Sequence, residues 1–189
     1  MFWGIRTMKI EAEKYQSPNF FSRGEDVPDM IVIHQSRIPA SLQKKRYLSA
    51  DSRDSVHFYI TLKGEIRQFV PITEAAAKDV CSSSDPRRCD HWSHSLSRII
   101  REREKDPSSY TVSVEFEGFG SGALTRLQFD AGVKTVKHII GEIERLYGLS
   151  FKTDREHIIG HYKVLPALHP FCPGLDFPMI KLIKACGGI

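Results

Sequence analysis

Long apolar runs are missing from this 189-residue chain, whose uninterrupted hydrophobic stretches span only a few residues, too short to cross a bilayer. Its start, Met1-Phe2-Trp3-Gly4-Ile5-Arg6, lacks the charged opening and extended apolar centre of a secretory signal. The expectation is synthesis in the cytoplasm, with any export by another route. Cysteine is scarce as well. Four residues (Cys81, Cys89, Cys172 and Cys186) make no disulfide framework at this length. Cys81 and Cys89 are near enough to pair across Ser82-Ser83-Ser84-Asp85-Pro86, but free thiols are the expectation. Charge of one sign is also lacking, since 27 Lys and Arg against 23 Asp and Glu leave a net charge of +4. So small an excess helps approach to a polyanionic surface without identifying one. No basic stretch is interleaved with aromatics in the RNA-binding manner, so no nucleic-acid partner is expected. Internal repeats, low-complexity tracts and linkers are absent too. What remains, with 41% hydrophobic and 26% charged residues, is an ordinary globular composition able to bury a core.

Periodicity supplies the elements. Met30-Ile31-Val32-Ile33 reads as a central strand, apolar throughout and ending on His34. A short helix is expected around Ser41–Tyr47. Val56–Ile60 and Glu65–Val70 form a hairpin about a turn containing Gly64. In the strand at 112–117, Val112, Val114 and Phe116 alternate with Ser113, Glu115 and Glu117, which puts the two sets on opposite faces. Thr125-x-x-Gln128 is a capping box opening a helix to about Tyr147, stopped by Gly148, with Phe129, Val133, Val136, Ile140 and Ile143 as its core stripe. A closing helix is expected within 177–184. Residues 71–109, punctuated by Pro71, Pro86 and Pro107, read as irregular.

Several side chains could carry chemistry. His34 ends a buried strand. His161 closes Arg155-Glu156-His157-Ile158-Ile159-Gly160-His161, and after ten intervening residues comes Cys172-Pro173-Gly174. Taken singly, each is the usual satisfied histidine or buried thiol. Together, two imidazoles and a thiolate are a ligand set suited to Zn²⁺, and three protein ligands leave the fourth position open, as in catalytic sites. His169, three before Cys172, is an alternative ligand. His57, mid-strand, fits packing or hydrogen bonding better than ligation. Cys89-Asp90-His91-Trp92-Ser93-His94 matches no standard finger spacing. An arbitrary strand glutamate is usually solvated, but beside a metal site Glu115 becomes a general base or orienting group, with Glu117 two residues further on the same face. Trp92 and Tyr162 are candidates for contact with a sugar or peptide.

These pieces, in this order, resemble the type 2 zinc-dependent N-acetylmuramoyl-L-alanine amidases, the class of phage endolysins, autolysins and peptidoglycan recognition proteins. The matching segments are Ile31-Val32-Ile33-His34, Ser55–Ile60 with Gly64 and Gln68, Val112–Gly118, Leu124-Thr125 with Gln128, Ile158-Ile159-Gly160-His161, and Cys172–Phe177. The likeness runs from about Ser17 to Lys184, and 99–118 looks especially like endolysins and autolysins of Gram-positive bacteria and their phages. The resemblance implies an α/β fold with a mixed central sheet flanked by helices, in agreement with the elements above. The whole of 1–189 would be one catalytic domain, with 1–16 as an N-terminal extension and no separate wall-binding domain.

By matched position, the metal ligands would be His34, His161 and Cys172, the cofactor Zn²⁺, and Glu115 the acidic residue that activates or orients water. Two places depart from the pattern. Ala75-Ala76-Ala77-Lys78 stands where many members have a Trp-His pair, and His169-Pro170-Phe171 stands where many have a lysine that stabilises the oxyanion. His169 is therefore set in that catalytic role, with His57, Glu117 and Tyr162 as substrate contacts. The implied substrate is bacterial peptidoglycan or a muropeptide, met at the cell wall after holin-dependent release or lysis. The alternatives are a non-catalytic peptidoglycan-recognition module and a cytoplasmic muropeptide-recycling amidase.

Overall fold

The computed structural model describes residues 13–78 and 90–188. Cys81 and Cys89, and with them the local pairing and the one cysteine of the Cys89–His94 cluster, lie outside those residues. The strands are β1 (Glu13–Lys14), β2 (Phe20–Ser22), β3 (Met30–Gln35), β4 (Phe58–Ile60), β5 (Ile66–Gln68), β6 (Glu74–Ala76), β7 (Thr111–Phe116) and β8 (Ile158–Gly160). The helices are α1 (Ala40–Leu48), α2 (Arg98–Arg103), α3 (Arg126–Tyr147), α4 (His161–Val164) and α5 (Met179–Ala185). Six strands form the main sheet in the order β1-β5-β4-β7-β3-β8, while β2 and β6 pair separately. β3 runs parallel to β7 and β8, and β4 runs parallel to β7 but antiparallel to β5, so the sheet is mixed with a parallel centre. No helix among the described residues is long and apolar enough to cross a membrane.

Alternation along the central strands divides the side chains between two cores. Ile31, Ile33, Phe58, Ile60, Val112, Val114 and Phe116 join Val136, Ile139 and Ile143 of α3 and Leu182 and Ile183 of α5 on one face. Fully burying each such side chain contributes roughly 1.5–3 kcal/mol. Met30, Val32 and Ile159 pack on the other face with Ile100 of α2, Tyr110 and Val164. Both faces of the sheet are thus covered, and every residue of β7 is buried. The polar side of that strand is a lined interior rather than a solvated surface.

The expected capping box opens α3: Gln128 N–H donates to Thr125 Oγ1 and Thr125 N–H donates to Gln128 Oε1, each at 3.1 Å. Its buried stripe is rotated from the expected one, with Ala131, Gly132, Thr135, Val136, Ile139 and Ile143 inside, whereas Phe129, Val133 and Ile140 are half-buried. The reason is close approach. A Cβ on Gly132 would lie 2.8 Å from the Phe116 ring, so the small residues rather than the large ones face the sheet. Within the stretch expected to be irregular, β6 and α2 form. β6 owes its existence to pairing with β2, and α2 to Ile100, buried against Met30 and Val32.

Candidate metal centre and catalytic cavity

The period of two that sorts the cores also sorts the chemistry. His34 follows Met30 and Val32 on one face of β3, and in register it stands opposite Glu115 of β7. His161 follows Ile159 by two residues at the end of β8, the strand on the other side of β3. The C-terminal ends of three parallel strands therefore present two imidazoles and a carboxylate to one side, the customary place for a site in such a sheet. Cys172 reaches them by a tight fold-back. Leu165 C=O accepts from His169 N–H at 2.9 Å, His169 C=O from Cys172 N–H at 3.2 Å, and Cys172 C=O from Tyr162 N–H at 2.9 Å.

Two glycines permit that closure. A Cβ on Gly160 would meet Pro173 Cδ and the Tyr162 ring at 2.8 Å. Gly174 holds φ at +118°, and its Cβ would fall 2.2 Å from the Gly122 backbone nitrogen. The Gly-His and Cys-Pro-Gly pieces of the sequence are thus the two halves of one junction.

Among the described residues, one group of metal-donor side chains converges: one ligand atom each from His34, His161 and Cys172, all within 4.8 Å of one another. The His34 and His161 ring centroids are 4.4 Å apart, inclined at 57°. Burial, reinforced by the charge of Lys78 and by His169, holds the His34 pKa well below its ordinary value. The ring is therefore neutral, as a metal ligand must be. Two buried imidazoles and a thiol at mutual ligand distance fit a four-coordinate borderline-soft ion with one position left open. His169 is not part of that group. It is exposed, and its ring stacks on His161 at 4.1 Å and 24°.

These residues line a cavity of about 850 Å³ that also presents Glu115, Lys78, Asp54, Arg37 and Arg53. Glu115 is held on two sides: Oε2 accepts from the Tyr47 hydroxyl, and Oε1 lies 3.1 Å from Lys78 Nζ. Lys78 also donates to Tyr47 Oη at 3.1 Å and lies 3.5 Å from Asp54 Oδ1, whose Oδ2 pairs with Arg46 Nε at 2.8 Å. Burial, with the neighbouring Glu115 carboxylate, raises the Tyr47 pKa well above its ordinary value, so its hydroxyl stays a donor.

The three residues expected to touch substrate are placed differently. Tyr162 lines an adjoining apolar groove of about 590 Å³ with Phe171, Pro173 and Leu175. Glu117 does not line the cavity. Its carboxylate accepts from Ala40 N–H at the start of α1 and from Leu62 N–H in the hairpin turn, both at 2.8 Å. It is a brace that fixes α1, and through α1 Tyr47. His57 is also outside the cavity: its Nδ1 accepts from Ser113 N–H at 3.0 Å, and Nε2 lies 2.8 Å from Arg23 Nη2 and 3.0 Å from Glu74 C=O. With every ring nitrogen engaged, it holds strands together. Sequence reasoning passed over Tyr47, Asp54 and Lys78. The one local trace is that Gln43 and Tyr47, a helical turn apart, are both buried on α1.

Burial, and then the Arg23 charge, hold the His57 pKa well below its ordinary value. In the unfolded chain it titrates near 6.5. Below that pH the unfolded state binds a proton that the folded state refuses, so this contribution is complete above about 6.5 and is lost as pH falls, at ~1.4 kcal/mol per pH unit. Buried His34 adds a second decline of the same sign in metal-free protein, so urea unfolding between pH 7.5 and 5 should show both. His57→Gln should lower the slope by ~1.4 kcal/mol per pH unit; an unchanged slope in the variant would contradict the assignment.

The model of one protein family, described as N-acetylmuramoyl-L-alanine amidase, matches residues 24–174, a span that contains every cavity residue named above. In fold the chain is similar to a selenomethionine derivative of AmpD (18% identity, 95% of this chain and 96% of that chain, TM-score 0.64). It is also similar to the PlyG catalytic domain (15% identity, 95% of each chain, TM-score 0.60). A third likeness is to the endolysin N-acetylmuramoyl-L-alanine amidase LysCS from Clostridium intestinale URNW (15% identity, 94% of this chain and 97% of that chain, TM-score 0.56). Identities this low speak to fold alone. No curated protein sequence matches the chain.

Proposed function

The chain belongs to the N-acetylmuramoyl-L-alanine amidase family, and we propose that it hydrolyses the amide between the lactyl group of N-acetylmuramic acid and the L-alanine of the peptidoglycan stem, using zinc held by His34, His161 and Cys172. The observation that carries this reading is the convergence of those three ligand atoms on the wall of the cavity that also presents Glu115. Zinc bound there supplies Lewis acidity, polarising a carbonyl and making water nucleophilic near neutral pH.

The chain's own groups do the rest. Glu115 takes the proton of the attacking water and returns one to the leaving amine, the work of a single carboxylate acting as base and then acid. Tyr47 donates its hydroxyl to that carboxylate and so limits the rotations open to it. His169, beside His161 at the cavity wall, donates to the oxygen that gains charge. The groove beside Tyr162 and Phe171 takes the apolar part of the stem peptide. The proposed setting is a phage or prophage endolysin, or a bacterial autolysin, acting at the wall after release.

Mass spectrometry of peptidoglycan and of soluble muropeptides, incubated with the protein before and after chelation, tests this reading. New L-alanine amino termini and peptide-free glycan that vanish with chelator and return with zinc are expected. Cleavage of soluble fragments but not of sacculi would move the setting to muropeptide recycling. Intact stems on walls that retain the protein would replace hydrolysis by recognition.

A further inference from the structure

Lys78 has no assigned role in the reaction above, yet it sits against the residue that does most of it. It follows β6 in a strand pair separate from the main sheet, and its backbone is anchored where Ala77 N–H donates to Ser55 Oγ at 2.9 Å and Ser55 N–H to Ala77 C=O at 3.2 Å. Its side chain is 13% exposed and that of Glu115 is 5% exposed, so this ion pair is largely shielded from solvent. An ammonium has three N–H donors and no acceptor. Here three oxygens face it: Glu115 Oε1 at 3.1 Å, Tyr47 Oη at 3.1 Å and Asp54 Oδ1 at 3.5 Å. One hydrogen bond to Tyr47 and two ion pairs, to Glu115 and Asp54, direct its charge at these groups rather than at a substrate oxyanion.

The arrangement also has a direction. Tyr47 Oη accepts from Lys78, so its own proton goes to Glu115 Oε2. Both carboxylate oxygens are then held from the side, each keeping a lone pair for water or the leaving amine. Asp54, tied in turn to Arg46, keeps the ammonium from following the substrate. Removing the cation would leave Asp54 with Arg46 alone, leave Glu115 without its ion-pair partner, and free the tyrosine hydroxyl to turn. Burial works against the charge on Lys78, but Glu115, Tyr47 and Asp54 outweigh it and hold its pKa well above the ordinary value.

From this geometry we infer that Lys78 is a positioning residue for catalysis: it fixes the orientation of the Glu115 carboxylate and the Tyr47 hydroxyl and acts through them rather than on the substrate. The inference rests on the amidase reading for its consequence in turnover, though the hydrogen-bond arrangement stands apart from it.

The test uses the full-length, zinc-loaded chain and the variants K78M and K78R, with zinc content and melting temperature measured alongside kcat and KM for release of L-alanine amino termini. K78M should keep one zinc per chain and a KM within about threefold while kcat falls about a hundredfold, and K78R should recover to within about tenfold of wild type. A K78M enzyme with unchanged kcat, or one that loses only melting temperature, would overturn the role. Should K78M not fold, D54N releases the same ammonium from its anchor and should lower kcat about tenfold with zinc in place; an unchanged kcat there counts equally against it. An inactive wild type would instead strike the amidase reading. In that event the ¹⁵Nζ resonance of Lys78 decides: slow exchange of the ammonium protons, accelerated by E115Q, supports the cage, and fast exchange in the wild type removes it.

Discussion

Glu115→Gln should retain zinc, fold and cavity and lose turnover, with kcat on peptidoglycan falling by about 10²–10⁴-fold. The substitution is nearly isosteric, so Tyr47 can still donate to the remaining carbonyl oxygen, whereas the amide group cannot take a proton from water. Lys78 keeps Tyr47 and Asp54 as partners. Loss of a group that acts only in the transition state lowers kcat and kcat/KM together. Metal analysis alongside steady-state release of L-alanine amino termini checks it, and near-full activity on cell walls would remove Glu115 from the mechanism.

His34→Ala should abolish both metal binding and activity. The proposed site has three protein ligands, and His34 contributes from the middle of the sheet, between β7 and β8, where no other donor among the described residues joins the group. Zinc that binds only the folded state stabilises it by about 2.7 kcal/mol at a hundredfold excess over Kd. For a chain of this size that corresponds to a rise in melting temperature of roughly 5–10 °C. The wild type should show this rise on titration with zinc and the variant should not, with no L-alanine released by the variant. A variant that still melts higher with zinc would place the ion elsewhere.

The two predictions differ in how far the sequence could reach. Both residues stand at or near the end of a strand whose alternation is plain in the letters: Met30-Ile31-Val32-Ile33 before His34, and Val112, Val114 and Phe116 around Glu115. From alternation alone, the face carrying Glu115 could equally have been solvated. Covering of that face by α1 and by the segment around Lys78 makes it a cavity, and these packings join residues 31 to 68 positions apart. The same distance explains Glu117. Its polarity and its face match those of Glu115, but the start of α1 and the hairpin turn lie close enough to claim its carboxylate. His57 shares the fate of Glu117, claimed by Arg23 from a segment 34 residues earlier. The α3 stripe was legible as a helical period but not in phase, because the Phe116 ring selects Gly132 as the point of contact.

By itself, then, the sequence determined the ligand chemistry, the central strands, the capped helix and the order of the pieces, because these depend on side-chain type and on periods of two and 3.6 residues. Tertiary structure decided which polar groups meet. The register of β3 between β7 and β8 sets His34 beside Glu115, the folded Cys-Pro-Gly loop brings Cys172 to His161, and β6, paired outside the main sheet, delivers Lys78. The physical reason is that an ion pair or a ligand set is made by distance in space, and separations of this kind leave no periodic trace in the chain.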